Sequence, residues 1–217
     1  HLSLRRQRQM CIRDRAMAAR FERGLFDPQT TDGSSLFDHK VWVICSDGDL
    51  QEGVSSEAAS FAGTQALGNL NVIYDDNRIS IEGDTHVTFT EDVSARYRSY
   101  GWEVIDVAAL SNGDVDLQSL DKAMSAAAKN LEQPTLIRLK SVIAWPAPNA
   151  RGTSKSHGSA LGAEEIAATK IELGLNPEEH FAFPKALLDH ARGVKNRGAS
   201  AHPVSYTHLD AADEGLG

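Results

Sequence analysis

Five consecutive apolar residues, Val41-Trp42-Val43-Ile44-Cys45, lead into Ser46-Asp47-Gly48-Asp49-Leu50-Gln51-Glu52-Gly53, and this stretch constrains the chain more than any other. An apolar run without polar alternation predicts a strand covered on both faces, the usual condition of parallel sheets. Helical spacing takes over from Gly53 to Leu67, where Val54, Ala58, Phe61 and Ala62 share one face and Gly68 stands in the place of a C-terminal cap. A second apolar run, Val72-Ile73-Tyr74, then opens onto Asp75-Asp76-Asn77-Arg78-Ile79-Ser80-Ile81. Strand, helix and strand in this order predict a parallel sheet with its ligand crevice at the strand C-termini. Asp47 and Asn77 both fall at such ends.

The pattern continues downstream. A short helix is predicted over 91–100 and a strand over 102–107, with a turn at Asn112-Gly113. Asp116 is placed to cap a helix carrying Leu117, Leu120, Met124 and Leu131. A strand over 135–142 precedes a long loop punctuated by Pro146, Pro148, Gly152, Gly158 and Gly162. Helices near 163–173 and 185–194 follow, and residues 16–23 read as the end of an earlier helix. The fold class expected is therefore α/β, a parallel β-sheet flanked by helices and incomplete at its N-terminal side.

Charge narrows the partners. The 217 residues carry a net charge of −8, yet the first fifteen hold Arg5, Arg6, Arg8, Arg13 and Arg15 against Asp14 alone. The remainder is correspondingly more acidic, which argues against nucleic-acid binding through phosphate neutralisation. A nucleic-acid arm or an organelle presequence is one reading of the basic head. Residues 1–15 are better explained as translated adapter read-through, and residues 203–217 likewise, leaving 16–202 as the meaningful domain. No stretch is long and apolar enough for a membrane helix. Cys11 and Cys45 make no disulfide framework, so a cytoplasmic setting is expected.

Magnesium prefers six oxygens in near-octahedral geometry, with one or two from protein side chains and others from phosphate and water. Asp47 offers a charged oxygen, Asn77 an amide oxygen, and the backbone carbonyl of Ile79 a third. Gly48 permits close backbone approach to a phosphate. Taken alone, Asp47-Gly48 is also ordinary turn chemistry.

Three segments in order, Ser46–Gly53, Tyr74–Glu82 and Ser156–Gly162, together resemble the thiamine-diphosphate-binding domain of transketolases, most closely those of actinobacterial kind. The resemblance runs from about residue 16 to 197 and includes Tyr100-Gly-Trp-Glu-Val-Ile105 and Ala144-Trp-Pro-Ala-Pro-Asn149. It implies that Asp47 and Asn77 are side-chain magnesium ligands and Ile79 a carbonyl ligand. It further implies that Gly48 contacts the diphosphate, that Ile81 packs on the thiazolium ring, and that His157 lies near the cofactor's reacting end. Glu52 matches an acidic residue near the family's dimer interface; an acid at a helix N-terminus also suits the helix dipole. Ser46 departs from the family's glycine, and Asp76 from the first asparagine of its Asn-Asn pair.

The cofactors implied are thiamine diphosphate and Mg²⁺, the substrates sugar phosphates, and the assembly a homodimer acting in the pentose phosphate pathway. The reaction implied is transfer of a two-carbon ketol unit from a ketose phosphate to an aldose phosphate. A second, pyrimidine-binding domain and the upstream part of the first are expected to lie outside this chain, which alone is expected to be inactive. Alternatives are another thiamine-diphosphate enzyme, of the deoxyxylulose-phosphate synthase or pyruvate dehydrogenase type, or a noncatalytic dimerisation domain. His39, His86, His180 and His190 match no site motif and are expected to be solvated.

Overall fold

The structure, a computed structural model, describes residues 2–200, with side chains from residue 12 onward. The expected tail at 203–217 and the side chain of Cys11 lie outside the described residues. Two compact units divide the chain, residues 1–175 and 176–217.

The first unit is built on a four-stranded parallel sheet of order β1-β2-β4-β3, formed by β1 (Val41–Ser46), β2 (Leu70–Asp76), β3 (Glu103–Val107) and β4 (Thr135–Lys140). Helix α1 (Leu2–Phe26) precedes the sheet, continuous across residue 15. A one-turn helix α2 (Asp47–Leu50) follows β1 directly, then α3 (Gly53–Thr64) crosses to β2. Helix α4 (Val93–Ser99) leads to β3, α5 (Leu117–Lys129) to β4, and α6 (Ala163–Glu172) ends the unit. The second unit contains α7 (Lys185–Arg192), whose Lys185 and Asp189 pair one turn apart. The α/β class and the parallel sheet are as the sequence predicts.

Each face of the sheet has its own apolar cluster. On one, Cys45, Val72, Tyr74 and Leu136 pack with Leu50, Ala59, Ala62, Tyr97 and Trp102 and with Ala16 of α1. On the other, Val107 and Ile137 pack with Ala123 and Ala127 of α5, joined by Ile73, Ile105, Leu120 and Met124. Helix α5 contacts β3 and β4, the far half of the sheet. β1 is therefore covered on one side only: Trp42 is 38% and Ile44 78% exposed, although the apolar run predicts cover on both.

Three local expectations are corrected. Helix α3 buries Ser55, Ala58, Ala59 and Ala62, one step around from the expected stripe, and Phe61 is 37% exposed. Its end is closed at Ala66, which takes a positive φ of 49° while Leu67 N donates to Ala62 O and Ala66 N to Gly63 O. Gly68 serves another purpose: a Cβ there would lie 2.2 Å from the Leu131 backbone. In α5, Asp116 does cap the helix, accepting from Ser119 N at 3.0 Å. Its buried stripe, however, runs through Leu120, Ala123, Met124 and Ala127, while Leu117 is 72% exposed and Leu131 lies beyond the helix.

Small residues bring α3 unusually close to the chain at 100–102. A Cβ on Gly63 would sit 1.8 Å from Tyr100 O, and Trp102 Nε1 donates to Ala59 O at 2.8 Å. This contact seats the crossover helix, and with it the β1–α2 junction, against the sheet.

Candidate functional site

The sheet's parallel order puts every strand C-terminus on one edge. Ser46 and Asp75 are register partners on β1 and β2, so Asp47, Asp76 and Asn77 emerge together. Ser46 is extended (φ −123°, ψ −179°), a conformation any residue adopts, and its N–H donates to Asp49 Oδ2 at 3.0 Å. Serine in place of the family's glycine thus causes no strain.

Asp47 opens α2 and is 2% exposed. Tyr74 donates its hydroxyl to Oδ1 at 2.6 Å, and Arg78 N donates to Oδ2 at 3.0 Å. Arg78 has φ 61°, a left-handed conformation uncommon for a non-glycine residue, and that turn aims its N–H back at Asp47. The Asp47 carboxylate therefore lies against the peptide that joins Asn77 to Arg78. Burial pushes its carboxyl above the ordinary range, against the hydrogen bonds from Tyr74 and Arg78. Among the described residues no cationic side chain pairs with it at 4.0 Å or less.

Asn77 is braced on both sides of its carboxamide. Nδ2 donates to Asp75 Oδ2 at 3.0 Å, and Oδ1 accepts from Ile79 N at 2.9 Å. Asp75 is itself held by Ser141 Oγ. Ile79 forms an isolated bridge with Asp84, closed by Thr85 N to Arg78 O and Ser80 N to Gly83 O. In that wide pairing the Ile79 N–H and C=O both point away from Asp84, toward the Asn77 side.

Asp76, beside Asp47, has the opposite electrostatics. Burial raises its carboxyl, but the Arg138 hydrogen bond and the charges of Lys140, Arg138 and Arg78 outweigh this and hold it below the usual carboxylate range. Arg138 Nη2 stands 2.6 Å and Nε 2.8 Å from Oδ2, with Arg78 at 3.4 Å and Lys140 at 3.7 Å from Oδ1. Arg138 also reaches Asp106 at 3.6 Å, and Asp106 binds Ser94 and Arg98. This ladder across β2, β4 and β3 escaped the sequence reading. Its signal was there: charged residues inside apolar runs, Asp106 in β3 and Arg138 and Lys140 in β4, near the strands' C-terminal ends.

A cavity of about 290 Å³ adjoins these groups, lined by Asp47, Tyr74, Asp76, Arg78, Glu91 and Arg138 among others. Asn77, Ile79, Gly48 and His157 are not in its wall. Gly48 is exposed, and a Cβ there would meet nothing within 4 Å, so the fold itself does not demand glycine. Glu52 is the N-cap residue of α3, and its carbonyl accepts from Ser55. Ile81 is 70% exposed on the loop after β2. His157 is exposed at the end of the turn 154–156, on a loop tied to α6 where Glu165 accepts from Asn149 N at 2.7 Å and Ala150 N at 2.8 Å. His39, His86, His180 and His190 are exposed as expected.

The donors fit a small hard cation. Asp47 is a buried carboxylate with two neutral hydrogen bonds and, among the described residues, no cationic side chain within 4.0 Å, and burying such a charge unpaired is costly. Each of its oxygens, and Asn77 Oδ1, retains an acceptor lone pair. Among the described residues no three His, Cys, Asp or Glu side chains form a metal cluster, so such an ion would rely on one carboxylate with amide and carbonyl oxygens.

Comparison with known proteins settles the family. The family model described as transketolase, thiamine diphosphate binding domain, matches residues 10–212. The chain belongs to the transketolase family. It is 49% identical to the transketolase of Mycobacterium leprae over 187 residues, 86% of this chain and 26% of that protein. With the transketolase of Mycobacterium bovis it shares 47% over 196 residues, 90% of this chain and 27% of the relative. Among solved structures, the transketolase of Campylobacter jejuni superposes with a TM-score of 0.83 at 36% identity, covering 94% of this chain and 31% of that one. A Pichia stipitis transketolase variant in complex with fructose 6-phosphate gives 0.81 at 36%, covering 94% and 29%. The chain thus spans about a quarter of the length of these mycobacterial transketolases. Among the described residues no helix is long and apolar enough to cross a membrane.

Proposed function

We propose that Asp47, Asn77 and the Ile79 carbonyl hold a Mg²⁺ ion that ties the diphosphate of thiamine diphosphate to this domain. In the intact protein, a cytoplasmic homodimer, the domain would serve transfer of a two-carbon ketol unit from a ketose phosphate to an aldose phosphate, in the pentose phosphate pathway. The observation that carries this reading is the unpaired buried carboxylate of Asp47 beside the braced Asn77, at the strand C-termini of a transketolase-family sheet. Mycobacterial relatives at 47–49% identity favour transketolase over the synthase or dehydrogenase alternatives.

When bound, the cofactor supplies the nucleophilic carbon and the electron sink for the chemistry. This chain's residues bind and orient. Asp47 contributes charge against the cation, Asn77 and Ile79 neutral oxygens, and Gly48 an open approach to phosphate. Ile81 offers an exposed apolar surface for the thiazolium ring, and Glu52 an acid at the start of α3 for the dimer interface. His157 is the reading's candidate for a contact to diphosphate or donor-sugar oxygens near the reacting end.

Calorimetric titration with Mg²⁺ and thiamine diphosphate tests the site. Heat that requires both components, and that disappears in Asp47→Ala, is the expected outcome; metal-independent binding overturns it. Spanning about a quarter of its relatives, the chain alone is expected to show no ketol transfer, and measurable turnover would refute that part.

A further inference from the structure

We propose that Tyr74 is a positioning residue for the cation site, its hydroxyl locking the Asp47 carboxylate in the orientation a small divalent ion requires. The inference rests on the cation reading above and adds a residue that acts through the Asp47 carboxylate rather than as a ligand. Tyr74 stands on β2, 2% exposed, and donates to Asp47 Oδ1 at 2.6 Å. Arg78 N grips Oδ2 at 3.0 Å. The two anchors flank Asn77 in sequence and hold a carboxylate that comes from a different element. Rotating the Asp47 carboxyl group must break one of them.

Both anchors are neutral, so they fix the carboxylate without cancelling its charge. Asp76, whose Oδ1 lies 3.5 Å from the Tyr74 hydroxyl, is occupied by Arg138 and does not compete for an ion. Mg²⁺ demands near-ideal octahedral geometry at short distances, whereas Ca²⁺ accepts six to eight ligands in looser arrangements. A carboxylate free to swing should therefore lose Mg²⁺ before it loses Ca²⁺.

The test is calorimetric titration of Mg²⁺ and of Ca²⁺ into the 217-residue chain with thiamine diphosphate present, for the unaltered protein and Tyr74→Phe. Removing a hydrogen-bond partner of a metal ligand commonly weakens metal binding by about 10–100-fold. That loss is expected for Mg²⁺, with a smaller one for Ca²⁺, so the Mg²⁺/Ca²⁺ affinity ratio falls while the far-UV spectrum is retained. Equal weakening of both ions, or none, overturns the proposal, since a merely structural role would leave the ratio unchanged. If the unaltered chain takes up no Mg²⁺, the cation reading itself fails and this inference with it. Should Tyr74→Phe not fold, tyrosine labelled with ¹³C at Cζ in the unaltered chain gives a second readout, assigned through Phe variants of the other tyrosines. Mg²⁺ is expected to move the Tyr74 resonance as it neutralises the acceptor, and a stationary resonance overturns the inference.

Discussion

Replacing Ala66 by glycine should raise the stability of this protein, against the rule that glycine weakens helices. Ala66 is exposed and left-handed, φ 49°, at the point where Leu67 N and Ala66 N close the end of α3 onto Ala62 and Gly63 carbonyls. A left-handed conformation costs a non-glycine residue about 1–2 kcal/mol. Glycine's extra freedom in the unfolded chain takes back about 0.4–1 kcal/mol. The net gain is on the order of 0.5–1 kcal/mol, and in a domain of this size each kcal/mol moves the melting temperature by about 2–4 °C. Thermal melts followed by far-UV circular dichroism should show Ala66→Gly melting about 1–4 °C higher. Were the helix to run on to Leu67 and end at Gly68, glycine at 66 would cost about 1 kcal/mol and Tm would drop. A lower Tm refutes the cap at Ala66. Gly68→Ala should be destabilising, because the Leu131 backbone 2.2 Å from the new methyl cannot yield as a side chain would.

Gly63→Ala should lower stability by about 1–3 kcal/mol despite alanine's helix preference, as overpacking against a backbone carbonyl at 1.8 Å outweighs it. Gly53→Ala in the same helix, with nothing within 4 Å, should leave Tm unchanged or slightly higher, and equal behaviour of the two in thermal melts would contradict the packing. Arg138→Met should destabilise by less than the roughly 3–5 kcal/mol typical of a buried carboxylate stripped of its partner, since Asp76 keeps Arg78 and Lys140. Asp76 ionises below the ordinary carboxylate range, so its contribution is present above the unfolded value of about 3.9 and is lost as pH falls through the lower folded value. Urea melts at and below about pH 4 should accordingly show a shallower loss of stability with acid in Arg138→Met than in the unaltered protein; equal slopes would show that Arg138 does not set the Asp76 ionisation.

Much of the site could be read from the chain because its parts are short and local. The run from Val41 to Cys45 and the run from Val72 to Tyr74 each end on the residue types that a diphosphate-bound cation would need, and periodicity alone places both ends on one edge. The Asx-type brace of Asn77 on Ile79 N is also local, spanning two residues. Less accessible were contacts between positions far apart in sequence. Tyr74 looked like one more apolar residue of a buried strand, yet its hydroxyl holds Asp47 across 27 positions. Arg78 holds Asp47 through its backbone N–H, which only a left-handed turn could aim. The α3 stripe was misplaced, and the α5 stripe right at Leu120 and Met124 but not at its ends, for a common reason: alanine fills much of both buried faces, joined by Ser55 in α3, and small residues give hydropathy little to register.

By itself the sequence determined the alternation of strand and helix, the parallel sheet and the meeting of two strand ends on one edge, because apolar spacing and crossover connections leave little alternative. Only the tertiary structure decided which carboxylate is paired with cationic side chains and which is held by neutral donors. That outcome depends on Arg138 arriving from β4 at Asp76 rather than at Asp47, a matter of strand order and register over 62 positions of chain. Coulomb interactions and hydrogen bonds act over a few ångströms of space, and no pattern along the chain reports which distant charges will share them.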